Sequence, residues 1–450
     1  MPGLIGEDRF REVADAALNL EGVDGVEVLG IHEWSGLTRF ANSEIHQSTA
    51  SEDTGIRVRV VTDGRVGVVA TNAFTPEGAA AAAGSAKELA EVAGPDPMWP
   101  GLAPAADHPR VDRFDEATAS ADPETRAEAV ASLVGRCPPD AVAAGAYETR
   151  AAEVAIANTA GQRCWAPWTQ ATLTTVMSGA GGDGFAELTV GSIGEIDGEE
   201  IGDRAADKAL RSRNPSPIDP GSYTVVLEPS ATATIVGFLA WIGFAGREYI
   251  EGRSCFSGKA GEQVAAPTVS IWDDATDPGT IGVGLDFEGT PRRKVDLIRD
   301  GVFLDAVYDR RTARQRGSAS GSTGHGLPPP NPEGPFPLNL CMATGDASLE
   351  EMIASTERGL LVTRFHYANV VNPIESTLTG MTRDGLFLIE GGEVTTPVRN
   401  LRFTQSTIGA LKAVTMVGRD AELCSEFFFS ASLVPALKID EFHFSGASDH

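Results

Sequence analysis

Seven histidines are scattered through the 450 residues, at 32, 46, 108, 325, 366, 443 and 450, and the closest two stand seven positions apart. No two can sit one helical turn apart on a common face, so a His-Glu-x-x-His or His-Glu-x-x-x-His zinc helix is excluded by count. His32-Glu33 is followed by Trp, Ser and Gly and reads as a strand end. Gly-x-Ser-x-Gly does not occur, which removes nucleophile-elbow chemistry. Ser320-Gly321-Ser322-Thr323-Gly324-His325-Gly326 sets hydroxyls beside an imidazole, on a loop with no evident orienting acid, and so reads as ligand-contacting or mobile rather than catalytic. Arg253 close to Cys255 could lower a thiol pKa, although a buried structural cysteine is the plainer account. A phosphate-cradling Gly-x-x-x-x-Gly-Lys-Ser/Thr is missing, and the glycine-rich 179–184 precedes a strand instead of a helix. Among the acid pairs, Asp273-Asp274 point to opposite faces of a strand, whereas Asp286 and Glu288 share one and could meet a cation. Pairing with Arg292, Arg293 or Lys294 costs less than recruiting a metal.

The elements that must position these groups are mostly strands. Residues 1–20 form an amphipathic helix, followed by strands at 26–31 and 37–40 and a hairpin of 56–61 with 66–70 closed by Asp63-Gly64. Thr75-Pro76-Glu77 opens an alanine-rich helix with Thr75 as N-cap, and five prolines within 94–109 make an extended connection. Asp122-Pro123-Glu124 starts a helix reaching about Arg136. The Ala41-Asn42-Ser43 turn and its following strand recur 116 residues later as Ala157-Asn158-Thr159, a second strand, and a Gly-Asp-Gly turn at 182–184. That echo predicts a duplicated hairpin unit. Asn214-Pro215-Ser216-Pro217-Ile218-Asp219-Pro220 marks a boundary. Beyond it come strands at 223–227, 268–272, 294–298, 360–364, 386–390 and 438–444, plus an apolar helix capped by Ser230 and ending near Phe244. The Gly/Ser-then-Pro segment 317–337 cannot be a regular element, and loops this long tend to be functional. The expected fold is α+β: an N-terminal antiparallel sheet with helices built on the duplicated hairpin unit, then a β-rich C-terminal domain. The expected domains are 1–110, 111–220 and 221–450.

Composition bounds the function. A formal net charge of −27 argues against nucleic acid and against an anionic membrane surface as partners. Apolar residues at 42% suffice for a sizeable core. The five cysteines are odd in number and never form Cys-x-x-Cys, so a disulfide scaffold or zinc ribbon is disfavoured and a reducing cytoplasm fits. The N-terminus lacks a basic leader with an apolar run, and the apolar stretch 235–245 is too short to span a bilayer.

Read in order, the chain resembles the TldD/TldE (PmbA) family, once called modulators of DNA gyrase. The resemblance is carried by Thr38-Arg39-Phe40-Ala41-Asn42-Ser43-Glu44-Ile45-His46-Gln47 and by 56–70. It continues in Phe256-Ser257-Gly258-Lys259-Ala260-Gly261-Glu262-Gln263-Val264, Val269-Ser270-Ile271-Trp272-Asp273-Asp274, Asp286-Phe287-Glu288-Gly289, Asp300-Gly301-Val302 and Ser322-Thr323-Gly324. Gly359-Leu360-Leu361-Val362-Thr363 and Ile389-Glu390-Gly391-Gly392-Glu393 complete it. The resemblance implies a heterodimeric zinc protease in which TldD carries a His-Glu-x-x-x-His helix and TldE lacks the metal site. It puts the zinc helix near 236–244, with Phe238 and Ile242 at about the histidine positions. Apolar side chains cannot ligate zinc. Cys424 lies loosely where a third ligand would be, without the flanking glycines.

The chain therefore resembles TldE. The resemblance implies no catalytic residue, metal or cofactor in this chain, zinc on a TldD-like partner subunit, and a peptide substrate in a shared chamber. Arg247, Glu248, Ser257, Gly258 and His325 are the chamber candidates, with ordinary salt bridging and turn formation as the competing account. Two other readings stand beside it. One is a self-sufficient amide hydrolase of peptide or natural-product maturation, with improvised ligands from His325, His366, His443 or Cys424. The other is a peptide-binding scaffold without catalysis.

Overall fold

The computed structural model describes residues 3–317, 321–425 and 431–448. The N-terminal half runs α1 (Glu7–Leu18), β1 (Gly25–Ala41), β2 (Glu44–Thr62), β3 (Arg65–Thr71), α2 (Pro76–Val92), α3 (Glu116–Ala119), α4 (Pro123–Val134), β4 (Ala141–Asn158), β5 (Arg163–Gly179), β6 (Gly182–Val190) and α5 (Gly198–Arg211). Its strands form one antiparallel sheet of order β3-β2-β1-β4-β5-β6. Two three-stranded meanders thus meet through their first strands. The recurring Ala-Asn-Ser/Thr turns fall at equivalent corners, between β1 and β2 and between β4 and β5. Segments 1–110 and 111–220 supply three strands each to this sheet.

Strands expected separately at 26–31 and 37–40 are one strand of seventeen residues, β1. Its polar middle, 32–36, does not interrupt it, because β2 and β4 pair with it on both sides and satisfy its backbone. Even-numbered β1 residues face the helices: Val26 and Val28 pack with Phe10, Val13 and the small face Ala79, Ala82, Ala83 and Ala86 of α2. On the opposite face Leu29 and Ile31 meet Leu285 and Phe287 of the C-terminal half. Thr75 caps α2 through the Gly78 N–H at 3.0 Å, and Asp122 caps α4 through Thr125 at 2.8 Å. The turn expected at 182–184 is displaced to Ala180-Gly181, both with positive φ (50° and 78°). Gly184 has a packing role within β6: a Cβ there would lie 2.2 Å from the Ala205 carbonyl of α5.

The C-terminal half comprises β7 (Gly221–Leu227), α6 (Pro229–Ile242), α7 (Gly246–Ile250), β8 (Ile271–Asp273), β9 (Val295–Arg299), β10 (Val302–Phe303), α8 (Arg310–Arg316), β11 (Leu340–Met342), α9 (Leu349–Ala354), β12 (Arg358–Asn372), β13 (Thr377–Glu390), β14 (Glu393–Pro397), β15 (Leu401–Ser406), α10 (Thr407–Lys412), β16 (Val414–Cys424) and β17 (Ser432–Ala447). The sheet order is β10-β9-β8-β11-β17-β15-β13-β12-β7, and β7 also pairs with β17. Strands β17, β15, β13, β12 and β7 therefore close on themselves. Phe365, Phe403, Phe442 and Phe444 cluster in the core of this half, with Phe365 and Phe442 stacked at 5.5 Å. The architecture is α+β.

Helix α6 is apolar on nearly every side because it is buried in that core. Ser230 is not its N-cap: Glu228 holds that position without a side-chain cap. The Ser230 hydroxyl instead donates to Glu187 of β6 at 2.8 Å, which ties the helix to the N-terminal sheet.

Candidate functional site

Four of the five chamber candidates lie together on and just after α7. Arg247 Nε donates to Glu251 at 3.1 Å, and Glu248 Oε1 lies 3.3 Å from the Arg253 guanidinium. Burial raises the Glu248 carboxyl above the usual carboxylate range, and its Oε2 is buried without a hydrogen-bond partner. Ser257 donates to the Tyr249 carbonyl at 3.1 Å, and Gly258 turns with φ of 77°.

His325 stands apart from them and is 0% exposed. The orienting acid that the sequence did not reveal is Asp273: its Oδ1 lies 2.8 Å from His325 Nε2, while Nδ1 lies 2.9 Å from the Thr323 hydroxyl. Asp273 Oδ2 also accepts from the Asn339 N–H at 2.7 Å, and Arg292 donates to the Asn339 side chain at 2.9 Å. The positive charges nearby and these donors hold Asp273 below the usual carboxylate range despite its burial. This hydroxyl–imidazole–carboxylate line is sealed in the core and cannot meet a substrate. Ser320, the other hydroxyl considered beside His325, lies outside the described residues.

Asp286 and Glu288 likewise depart from expectation: neither forms an ion pair with Arg292, Arg293 or Lys294 among the described residues. Asp286 accepts three backbone N–H groups, from Glu288 at 3.0 Å, Thr290 at 2.8 Å and Gly326 at 2.8 Å. Glu288 accepts from the Arg310 N–H at 3.0 Å, and burial together with Asp286 pushes its carboxyl up to about 8. The 317–337 segment carries this network. Thr323, Gly324, His325 and Gly326 are buried, and a Cβ on Gly324 would lie 2.4 Å from the Pro291 carbonyl.

The residues considered as improvised metal ligands do not converge. His366 is on β12 with its ring 4.2 Å from that of Tyr367, His443 on β17 faces Ser222 at 3.4 Å, and Cys424 is buried at the end of β16. Among the described residues no three His, Cys, Asp or Glu side chains gather to hold a metal ion. Phe238 and Ile242 of α6 are buried in the hydrophobic core.

A cleft of about 290 Å³ opens where the inner face of the N-terminal sheet meets β12 and the first turns of α6. Thr174 of β5, Phe185 and Glu187 of β6, Thr234 of α6, and Arg364, His366 and Tyr367 of β12 line it. The Arg364 guanidinium lies 4.1 Å over the Phe185 ring and donates to Asp384 at 2.6 Å through Nε. Burial raises the Glu187 carboxyl and favours its neutral form. Burial, then the charges of Arg383 and Arg364, lower the His366 pKa and favour its neutral form. Sequence reasoning missed this site apart from His366, because its walls come from four elements with no shared spacing. The one local signal was an acid at position 187 in a strand whose neighbours are apolar.

Residues 220–446 match the PmbA/TldA metallopeptidase C-terminal domain, and residues 26–90 match PmbA/TldA metallopeptidase domain 1. A metalloprotease TldD homolog of Haemophilus influenzae is 31% identical over 207 residues, covering 43% of this chain and 42% of that protein. A metalloprotease of Methanothermobacter thermautotrophicus is 28% identical over 262 residues, covering 56% of each. These matches span about half the length of the relatives. Among solved structures, TldE from Thermococcus kodakarensis superposes with a TM-score of 0.87 at 22% identity, covering 94% of this chain and 97% of that one. A Thermotoga maritima protein described as a putative modulator of a DNA gyrase gives 0.85 at 20% identity, covering 97% and 100%. At such identities the superpositions establish the fold alone.

Proposed function

Because the chain belongs to the PmbA/TldD metallopeptidase family, we propose that it is the zinc-free, TldE-like subunit of a two-subunit peptidase, completing a chamber for unfolded or extended peptides beside a TldD-like subunit that carries the zinc. The observation that carries this reading is helix α6. Phe238 and Ile242, where the resemblance puts the zinc histidines, are packed into the core and own no donor atom. Zinc needs nitrogen, sulfur or carboxylate ligands, so this helix does not fit the metal that the family name implies. The helix remains as a structural member, tied to the N-terminal sheet through Ser230 and Glu187.

What this chain supplies is shape and polarity. The cleft beside the first turns of α6 offers a hydroxyl, a guanidinium and an imidazole to an extended chain. The partner's metal would polarise the scissile carbonyl and activate water. Five cysteines without a disulfide suit a cytoplasmic location, and no described helix is long and apolar enough to cross a membrane.

The test is reconstitution. The chain alone should contain background zinc and cleave no peptide, and adding a partner that carries a His-Glu-x-x-x-His helix should give chelator-sensitive peptidase activity. Stoichiometric zinc and turnover by the isolated chain would overturn the proposal.

A further inference from the structure

The charge at the β12 cleft is opposite to that of the protein. Two guanidiniums share one buried carboxylate there: Arg364 Nε donates to Asp384 Oδ2 at 2.6 Å, and Arg383 Nε lies 3.6 Å from Oδ1. One positive charge is left over within a chain of net −27. Burial works against a charge on Glu187, which is 6% exposed and whose Oε1 accepts from Ser230. The Arg364 guanidinium lies 4.1 Å over the Phe185 ring, and its Nη1 makes no hydrogen bond among the described residues. The Thr174 hydroxyl and the His366 ring add polar groups to the lining.

We infer that this cleft is a carboxylate-binding subsite that takes the C-terminal carboxylate of a peptide, with Arg364 as its principal donor. The planar guanidinium edge matches a carboxylate. One surplus charge balances a monoanion, and the Asp384 carboxylate disfavours a dianion such as phosphate. About 290 Å³ admits one terminal residue, and Tyr367, 77% exposed, stands at the mouth where the rest of a chain would leave. The inference rests on the peptide reading above and adds an end-specific contact to it.

The test uses the full chain without a partner, so it does not depend on catalysis. Fluorescence anisotropy would compare N-dansyl tetraalanine as the free acid, the same peptide as its C-terminal amide, and an amidated peptide with one internal glutamate. The free acid should bind about tenfold more tightly than either amide, the range expected for one charge-assisted contact. The preference should collapse to within about twofold in R364Q, which removes the surplus charge and leaves Asp384 paired with Arg383. It should persist in R419Q, which deletes an equal charge from the exposed Arg419–Glu351 pair. Equal binding of acid and amide, a preference that survives R364Q in a protein that still melts cooperatively, or equal binding of the internal-glutamate amide would overturn the inference. Partner-dependent turnover with no acid preference would sink this subsite and leave the two-subunit proposal standing.

Discussion

Replacing Glu288 by glutamine should remove a large part of the alkaline sensitivity of folding, and the size of the effect follows from its surroundings. The side chain is buried between the N-terminal sheet and the C-terminal half, facing Asp286 and Asp309 with Arg59 as the opposing charge, and it accepts the Arg310 N–H. Burial and the two acids push the folded value up to about 8, against an ordinary 4.5. The folded value lies above the unfolded one, so between the two the native state holds a proton that the unfolded chain has released. Stability from this group is full below 4.5 and is lost as pH rises through 8. From pH 6 to pH 8.5 the loss is about 2.5 kcal/mol, an upper figure because Asp286 shares the titration. Glutamine keeps the shape and the acceptor for Arg310 but has no proton to lose. Urea unfolding followed by tryptophan fluorescence at pH 6, 7, 8 and 8.5 would give the two curves. The difference in stability between E288Q and the wild type should move in favour of E288Q as pH rises. Parallel curves would refute the reasoning, since the carboxyl would then titrate alike in both states.

Further expectations concern the other buried groups. His325→Ala should cost about 3–5 kcal/mol in urea unfolding, because it strands Asp273 in the core without its imidazole partner; a loss under 1 kcal/mol would mean that water replaces the ring freely. Placing histidines on α6 as F238H/I242H should not create a zinc site. Both positions point into packed core, so elemental analysis should find background metal in a protein destabilised by about 3 kcal/mol or more, and stoichiometric zinc would contradict the packing. Asp122→Ala should remove about 1 kcal/mol through the lost cap of α4, read from the urea midpoint, and an unchanged midpoint would refute it.

What the sequence disclosed was local or periodic. The caps at Thr75 and Asp122, the amphipathic α1 and the 116-residue echo all reside in short windows, and each has its counterpart in the fold. What it concealed depends on distant partners. Asp273 meets His325 from 52 positions away, so no spacing could announce the pair. Segment 317–337 reads by composition as a long irregular loop, yet its glycines at 324 and 326 serve close approach within a buried network. Polar residues 32–36 look like a break until β2 and β4 supply ladder partners on both sides. Ser230 has the residue type of a cap, and the presence of Glu187 across the domain junction diverts its hydroxyl. The cleft was hidden for the same reason, being assembled by β5, β6, α6 and β12.

The closure of the C-terminal strands has a consequence for biosynthesis. Strand β7 is the first of that half to leave the ribosome and β17 the last, yet Val225 pairs with Ile439 and Leu227 with Leu437. While residues 228–431 are being made, one side of β7 has no strand to pair with, and the apolar α6 has no finished core to enter. The N-terminal sheet needs nothing beyond β6 to complete its ladder and can fold during that interval. The nascent chain should therefore pass through a long stage in which a finished first half is tethered to an adhesive, open second half, the period in which a holding chaperone would matter most.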